Sequence, residues 1–511
     1  MTIIIDNAAN WRDIARVGDG EKLELAPAAW DRIAYANLIV GSLVEKGIRA
    51  YGVNTGVGAL ASQVVAPALQ QKLSRNIILS HACGVGELVP ERSIRAVIAA
   101  QVANFAHGHS GIRPEIVRNL LAFLERNCVP DVPSRGSAGY LTHNAHIALV
   151  LIGEGRASVA GRRMSGRQAL AEIGLEPLVL GAKEGLSLVN GTACATGLTS
   201  IALVRAERLL CWADAAAALT LEAAGGQMAA FDEHVLAMRP SPGIQAVGAS
   251  LRRLLDGSGL IAVAHGSRTQ DALSLRAVPH VHGAAREVLE RSAQLVDREL
   301  ASVTDNPAVA GTPDNPQVFS QAHPVAPALG QTADGLTIAL AQVAAMSERR
   351  IDRLVNPLVN NLPPFLAAEG GCNSGFMIAQ YTATSLSNVN RRLAAPAATD
   401  GGVTSGLQED FLAHPTVAAN KLLAVIDNAE YILAIELMAA AQAHDFLSDR
   451  AARAPGTDAI YRAIRQRVAH YSDDRPLSWD MEMLRDFIRQ ADVTQCKTDV
   501  GRGSEPRAYA P

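Results

Sequence analysis

The chain has 511 residues, with 46 Lys and Arg against 50 Asp and Glu for a net charge of −4; 49% of its residues are hydrophobic and 19% charged. That balance gives no electrostatic basis for binding nucleic acid or an anionic membrane, and the length suffices for two or three joined domains around a large core. So low a charged fraction suits a chain that buries further surface against copies of itself, which makes a homo-oligomer the expectation.

Cys83, Cys128, Cys194, Cys211, Cys372 and Cys496 are scattered, with no C-x-x-C pair. They read as small buried hydrophobes of a reducing compartment. The start, "MTIIIDNAANW", lacks a basic segment followed by a sustained apolar run. The Ala-rich stretches carry Gln, Glu, Asp and Asn throughout, unlike a lipid-facing span. A soluble, cytoplasmic protein is expected.

Helical period dominates in chain order. "ALQQKLSRNIILSHA" (68–82), "SIRAVIAAQVANFAHG" (93–108) and "EIVRNLLAFLERN" (115–127) repeat apolar residues at i, i+3, i+4 and i+7. Three much longer windows follow at 197–231, 328–356 and 418–447. Helices of that length predict a bundle of near-parallel rods. Strand signals are few and short. The spacing predicts a loop-rich N-terminal domain over 1–200 and a long helical bundle domain over 201–511. Compact Gly-, Asn- and Ser-rich loops interrupt the rods at 51–60, 136–143, 188–197, 267–276, 302–309 and 404–410. Rigid helices that present such loops suit a preorganised site.

In those loops the sequence resembles the histidine and aromatic amino-acid ammonia-lyase family. "YGVNTGVG", "SHACGVG", "VPSRGS", "ALVLIGEG", "LVNGT", "TDNP", "NLPPFL", "NSGFMIAQ" and "QED" match in order from about residue 50 to 410. The resemblance implies a mainly α subunit of the ammonia-lyase/fumarase-aspartase type, assembled as a homotetramer with active sites shared between subunits.

It also exposes a gap. Family members read G-A-S-G-D-L after this segment, and their Ala-Ser-Gly cyclises to the electrophile 4-methylideneimidazole-5-one. Here "GSAG" runs directly into "YLTHNAHIAL", so Gly139 precedes Tyr140 with three residues missing. Three neighbours of the group also depart from the pattern: Tyr140 replaces the family's Asp, Leu273 stands where a Tyr belongs, and Ser320 falls in a Phe place. Loss of a group together with its supporting residues points to true absence, so no cofactor is expected.

The remaining roles follow the family pattern. Tyr51 matches the general base, although a Tyr packed on a turn would look the same. Arg276 matches the carboxylate clamp, which a planar guanidinium suits, and Asn190 would complete it. Gln270 is a weaker candidate for that shell, since it would equally serve as a loop cap. His81 and Glu409 match positions that face an imidazole in the histidine-specific branch; the competing reading is a core His and a helix-end Glu. Tyr140 would offer its ring face to a cation, or simply fill the vacated volume. "HGH" (107–109) and "HVH" (280–282) have no third ligand cluster beside them, so no metal is expected.

An amine without a lone pair needs no electrophile. The expected activity is therefore β-elimination of trimethylamine from an α-trimethylammonium imidazole-type amino-acid betaine, ergothioneine to thiourocanate, as in the ergothionase branch. The competing expectation is an ordinary histidine or aromatic amino-acid ammonia-lyase, in which a cyclised Ala-Ser-Gly stands unwritten between Gly139 and Tyr140. A third is an inactive relative that serves as a scaffold.

Overall fold

A computed structural model describes residues 2–447 and 451–490, so Cys496 lies outside the described residues. The short helical windows become the helices Gln70–His81, Glu91–Ala106 and Pro114–Glu125. Pro114 opens the last of these at a position whose N–H has no helical partner in any case. From Ser93 to Ala106 every side chain is buried, most of them apolar or small, and the exceptions Arg95, Gln101 and Asn104 are hydrogen-bonded.

The long windows become Ala193–Ala223, Pro327–Val355 and Pro415–Asp445, joined by Val278–Leu300. The first stops short of the expected 231. Gly225, at φ +61°, turns the chain, and the Gly226 N–H caps the helix by donating to the Leu221 carbonyl at 2.8 Å. Two successive glycines disfavour continuing the helix, and the first supplies the left-handed cap. Among the described residues, the run Glu184–Ala223 holds one window long and apolar enough to cross a membrane, but 94% of that window is buried inside the protein.

The chain divides into two compact units, 1–204 with 291–335 and 395–423, and 205–290 with 336–394 and 424–511. The expected split at 200/201 lies near the first crossing, yet the second domain does not stay together. A helix of 30 residues runs roughly 45 Å, so one rod can leave one unit and continue into the other without a turn. The crossings at 204, 290, 335 and 423 all fall inside the four long helices.

The first unit holds the described strands. Thr2–Ile5 pairs in parallel with Lys22–Leu25. Cys128–Pro130, Arg156–Val159 and Arg162–Ser165 form an antiparallel sheet, and Val85–Leu88 pairs with Pro133–Arg135. Ala308–Gly311 and Pro316–Phe319 make a hairpin. Ala36, Ile39, Val40 and Leu43 of the helix Pro27–Glu45 pack with Ala50, Val53 and Val309. That cluster pins both flanks of Tyr51.

Each unit contains a buried ion pair. In the second, Glu436 accepts from Thr220 and Ser347 and from Nε and Nη2 of Arg350 at 2.5–2.8 Å. In the first, Lys183 Nζ reaches Asp305 Oδ2 at 2.8 Å, with both side chains 0% exposed, and also donates to Ser187. Cys128, Cys194 and Cys211 are buried, whereas Cys83 and Cys372 are exposed, unlike the expectation. Both exposed cysteines lie in connecting loops, where helical packing does not cover them. Substituting Lys183 with Met leaves the Asp305 carboxylate buried without its cation. The expected loss is roughly 3–5 kcal/mol of stability, measured by denaturant unfolding; a loss below ~1 kcal/mol would contradict the pairing argument.

Candidate active site

The loop that carries Tyr51 is braced by its own side chains. Ala50 N–H donates to Asn54 Oδ1 at 2.8 Å, Asn54 Nδ2 donates to the Ile48 carbonyl at 2.9 Å, and Gly52 N–H donates to Thr55 Oγ1 at 3.1 Å. The chain then turns back so that Gly58 N–H donates to Tyr51 Oη at 2.9 Å. Next to it, Ala59 N–H donates to Ser405 Oγ at 3.1 Å, which ties this loop to the one carrying Glu409. Gly58 has φ +55°, and a Cβ there would collide with Ser405 Oγ. Glycine is required at this contact.

Glu409 closes a tight turn. Thr404 N–H donates to the Glu409 carbonyl at 2.8 Å, and Ser405, Gly406 and Leu407 all have positive φ. Two non-glycine residues held in that region mark a segment fixed by its surroundings.

Tyr140 sits in a third constrained loop. Gly139 N–H donates to Ser137 Oγ at 3.1 Å, Ser137 Oγ donates to the Tyr140 carbonyl at 3.0 Å, and Thr416 Oγ1 donates to the Gly139 carbonyl at 2.8 Å. His414 N–H donates to the Ala138 carbonyl at 3.2 Å. Leu141, at φ +80° and ψ −69°, is the centre of a strained γ-turn closed by Thr142 N–H on the Tyr140 carbonyl at 3.2 Å. The turn directs the Tyr140 side chain so that its hydroxyl donates to Glu409 Oε2 at 3.1 Å. The hydroxyl is thus engaged, a contact the sequence did not suggest for Tyr140. His81 ends the helix Gln70–His81, with Ser80 Oγ 3.0 Å from its Nδ1.

Four titratable groups thus share one locality of the first unit, and their fields overlap. Burial pushes the Tyr51 phenol above its ordinary value, the Gly58 N–H opposes this, and the Glu409 charge adds to the rise. Burial likewise raises Tyr140 well above a normal phenol, reinforced by the charge and hydrogen bond of Glu409 and by Tyr51. His81 is lowered by burial, against a hydrogen bond to the Ile77 backbone and the Glu409 charge. At neutral pH both phenols are protonated and the imidazole is uncharged. Such a set can accept ring N–H groups at a carboxylate, hold a neutral donor against it and place a phenol as a proton carrier.

The other expected residues lie outside this hydrogen-bonded group. Asn190, 6% exposed, donates through Nδ2 to the Asn306 carbonyl at 2.7 Å and accepts from Gly191 N–H at 3.0 Å. Its amide is occupied by the loop that precedes Pro307. Gln270 and Arg276 belong to the second unit. With the Gln270 amide oriented to satisfy both groups, its Oε1 accepts from Arg276 Nη2 at 2.7 Å and Nε at 3.3 Å. Arg276 Nε also donates to the Asp271 carbonyl at 2.9 Å. Leu273 is 62% exposed and Ser320 is exposed. Three of the four discounted histidines have structural partners: His107 meets the Leu300 carbonyl, His109 the Val309 carbonyl and His282 the Asp214 carboxylate, while His280 is exposed. Sequence reasoning missed Ser405, Ser137 and Thr416, which hold the loops. Ser405 lies inside the "TSGLQED" motif, but its role depends on a contact across more than 300 residues.

The family model "Aromatic amino acid lyase" matches residues 7–466, and the chain belongs to that family. It is similar to a histidine ammonia-lyase of Symbiobacterium thermophilum, 44% identical over 487 residues, covering 94% of this chain and 95% of the relative. Among solved structures, a histidine ammonia-lyase from Trypanosoma cruzi superposes with TM-score 0.89 at 33% identity, over 97% of this chain and 95% of the other. An ergothionase from Treponema denticola has the same TM-score, 0.89, at 28% identity, covering 96% of this chain and 99% of the other. The expected trimethylamine elimination from ergothioneine is therefore corrected. Relatives at 39–44% identity bear the name histidine ammonia-lyase, while the ergothionase is a more distant neighbour at 28%. The error lay in drawing a quaternary leaving group from one missing electrophile, because loss of that group constrains the mechanism and leaves the leaving group open.

The family implies 4-methylideneimidazole-5-one, and the residues present do not fit it. The group forms from Ala-Ser-Gly, whereas Gly139 here is followed by Tyr140 in a loop whose carbonyls at 138, 139 and 140 are each already bonded. A Cβ on Gly139 would also stand 2.7 Å from Pro415 Cδ, so this segment is closely packed.

Replacing Gly58 with Ala forces the Tyr51 and Glu409 loops apart. A displacement of about 1 Å at a site of this kind costs up to roughly 10²-fold in rate. Lyase activity is expected to fall more than about tenfold with the helical circular dichroism unchanged; an unaffected rate would mean that the two loops need not touch.

Proposed function

We propose that the chain is a carbon–nitrogen lyase that eliminates ammonia from an imidazole-bearing α-amino acid, histidine first among them. The observation that carries this reading is the convergence of His81 and Glu409 on the locality of Tyr51, in a chain 44% identical to a histidine ammonia-lyase. A carboxylate and a neutral imidazole supply an acceptor and a second polar edge for the two ring nitrogens of such a substrate, which a phenyl pocket would not need. Tyr51 is the general base, and Glu409 holds the ring so that the β-carbon faces the phenol. For the substrate carboxylate, the resemblance of the "LSLR" loop assigns Arg276, with Gln270 and Asn190 in support. Arg276→Lys would keep the charge and lose the bidentate fork, so binding should weaken more than turnover.

We also propose a homotetramer located in the cytoplasm. Leu358 at 89%, Leu407 at 75% and Tyr381 at 69% exposure are apolar surface of the kind that copies of a chain cover.

Purified protein given histidine is expected to release ammonia together with the conjugated imidazole acrylate, and little of either product class from phenylalanine or tyrosine. Preferential turnover of phenylalanine would overturn the imidazole assignment. Tyr51→Phe should lower kcat by roughly 10² to 10⁴, as for loss of a positioned base. The pH dependence has a defined sign. Glu409 raises Tyr51, so Glu409→Gln should move the Tyr51 limb of the kcat/KM profile to lower pH; an unmoved limb would remove Tyr51 from the role.

A further inference from the structure

The loop that lacks the tripeptide is a built structure, and what it builds is a hydroxyl aimed at a carboxylate. Four hydrogen bonds and a strained turn at Leu141 hold Tyr140 so that its Oη rests 3.1 Å from Glu409 Oε2. Strain of this kind persists only where surrounding structure over-determines it, and it marks functional segments. Among the described residues, Glu409 Oε1 takes part in no side-chain hydrogen bond, which leaves one carboxylate oxygen for a ligand.

We propose that Tyr140 orients Glu409 as the acceptor that binds the substrate's ring as an imidazolium, so that elimination proceeds without covalent capture of the amine. The inference rests on the proposed lyase reaction for its substrate class. A carboxylate held in place by that hydrogen bond favours the protonated state of an imidazole set against its free oxygen. Tyr140 is a positioning residue here, acting through Glu409.

The positive ring replaces the activation that an electrophile would give. In the fraction of the protein whose Tyr51 has already given its own proton to solvent, the phenolate takes the β-proton, and the C–H electron pair moves into the bond between Cβ and the ring, neutralising the imidazolium. That pair then forms the Cα–Cβ double bond as the Cα–N bond breaks. The nitrogen leaves with its own pair, turning the α-ammonium into neutral ammonia, and the ring regains its charge. The proton ends on Tyr51, and no oxidant or co-reactant is needed. A ring that cannot carry a proton gains nothing from this arrangement, which confines the substrates to protonatable azoles.

The groups that face Glu409 from the neighbouring elements are Tyr51, Tyr140 and His81. Of these, His81 carries an imidazole of its own beside the same carboxylate, so its contribution must be separated. The probe is imidazolepropionate labelled with ¹⁵N in the ring, which has no amine to lose and binds without reacting. Free at pH 8, its ring is neutral, since an imidazole of this type titrates near 6.5. Bound to the full-length protein at pH 8, both ring nitrogens are expected at imidazolium positions by ¹⁵N NMR, and to stay there in His81→Asn. In Glu409→Gln and in Tyr140→Phe the bound ring should revert toward the neutral pattern. A purely structural Tyr140 would change affinity or stability without moving those resonances.

Alongside this, borotritide treatment of the folded protein should leave the peptide around residues 136–143 unlabelled. A neutral bound ring in the unsubstituted protein, failure of the probe to bind, or tritium in that peptide would each overturn the proposal. If histidine were not deaminated while the bound ring stayed imidazolium, the lyase reading would fail and the binding inference would stand. Ammonia release with a neutral bound ring would do the reverse.

Discussion

The site depends on one hydrogen bond, from Tyr140 Oη to Glu409 Oε2 at 3.1 Å. It joins residues 269 positions apart in sequence and fixes a carboxylate on a turn that would otherwise be free to choose its orientation. Burial is the larger influence on Tyr51 and His81, and the Glu409 charge adds to the rise of the first while opposing the lowering of the second. The loop contact between Ala59 N–H and Ser405 Oγ complements this bond by holding the Tyr51 loop against the same turn. Three loops from three parts of the chain meet because helices fix their ends, and the core around Ala50 and Val53 pins the first.

Much of the fold was legible in the sequence because the helical period is strong. The windows at 68–82, 93–108 and 115–127 each gave a helix within a few residues of its limits. The overrun to 231 failed on local chemistry, since Gly225 and Gly226 stop a rod whose apolar period continues past them. The division into domains was less legible. Periodicity shows that a helix is long, but it cannot show that one rod serves two units, which returns 291–335 and 395–423 to the first.

The site was readable as a set of residues and much less as a geometry. Tyr51, His81 and Glu409 came from motif matches, and the structure gathers them. Tyr140 was singled out because it follows the gap, yet its hydrogen bond depends on the γ-turn at Leu141, for which a leucine carries no local signal. Ser405, Ser137 and Thr416 escaped notice because a serine or threonine hydroxyl declares its partner only when two distant segments meet. The substrate class failed for a different reason. A missing electrophile bears on how a carbon–nitrogen bond is broken, and it was made to answer which nitrogen leaves.

Coupling between Tyr140 and Glu409 is the central physical claim, and a double-mutant cycle on kcat/KM for histidine tests it most directly. If Tyr140 acts through Glu409, the Tyr140→Phe change should cost rate in the unsubstituted background and cost little more once Glu409 is already Gln. The double variant would then resemble Glu409→Gln alone. Independent effects, in which the two losses multiply in the double variant, would contradict the account and leave Tyr140 with a role of its own.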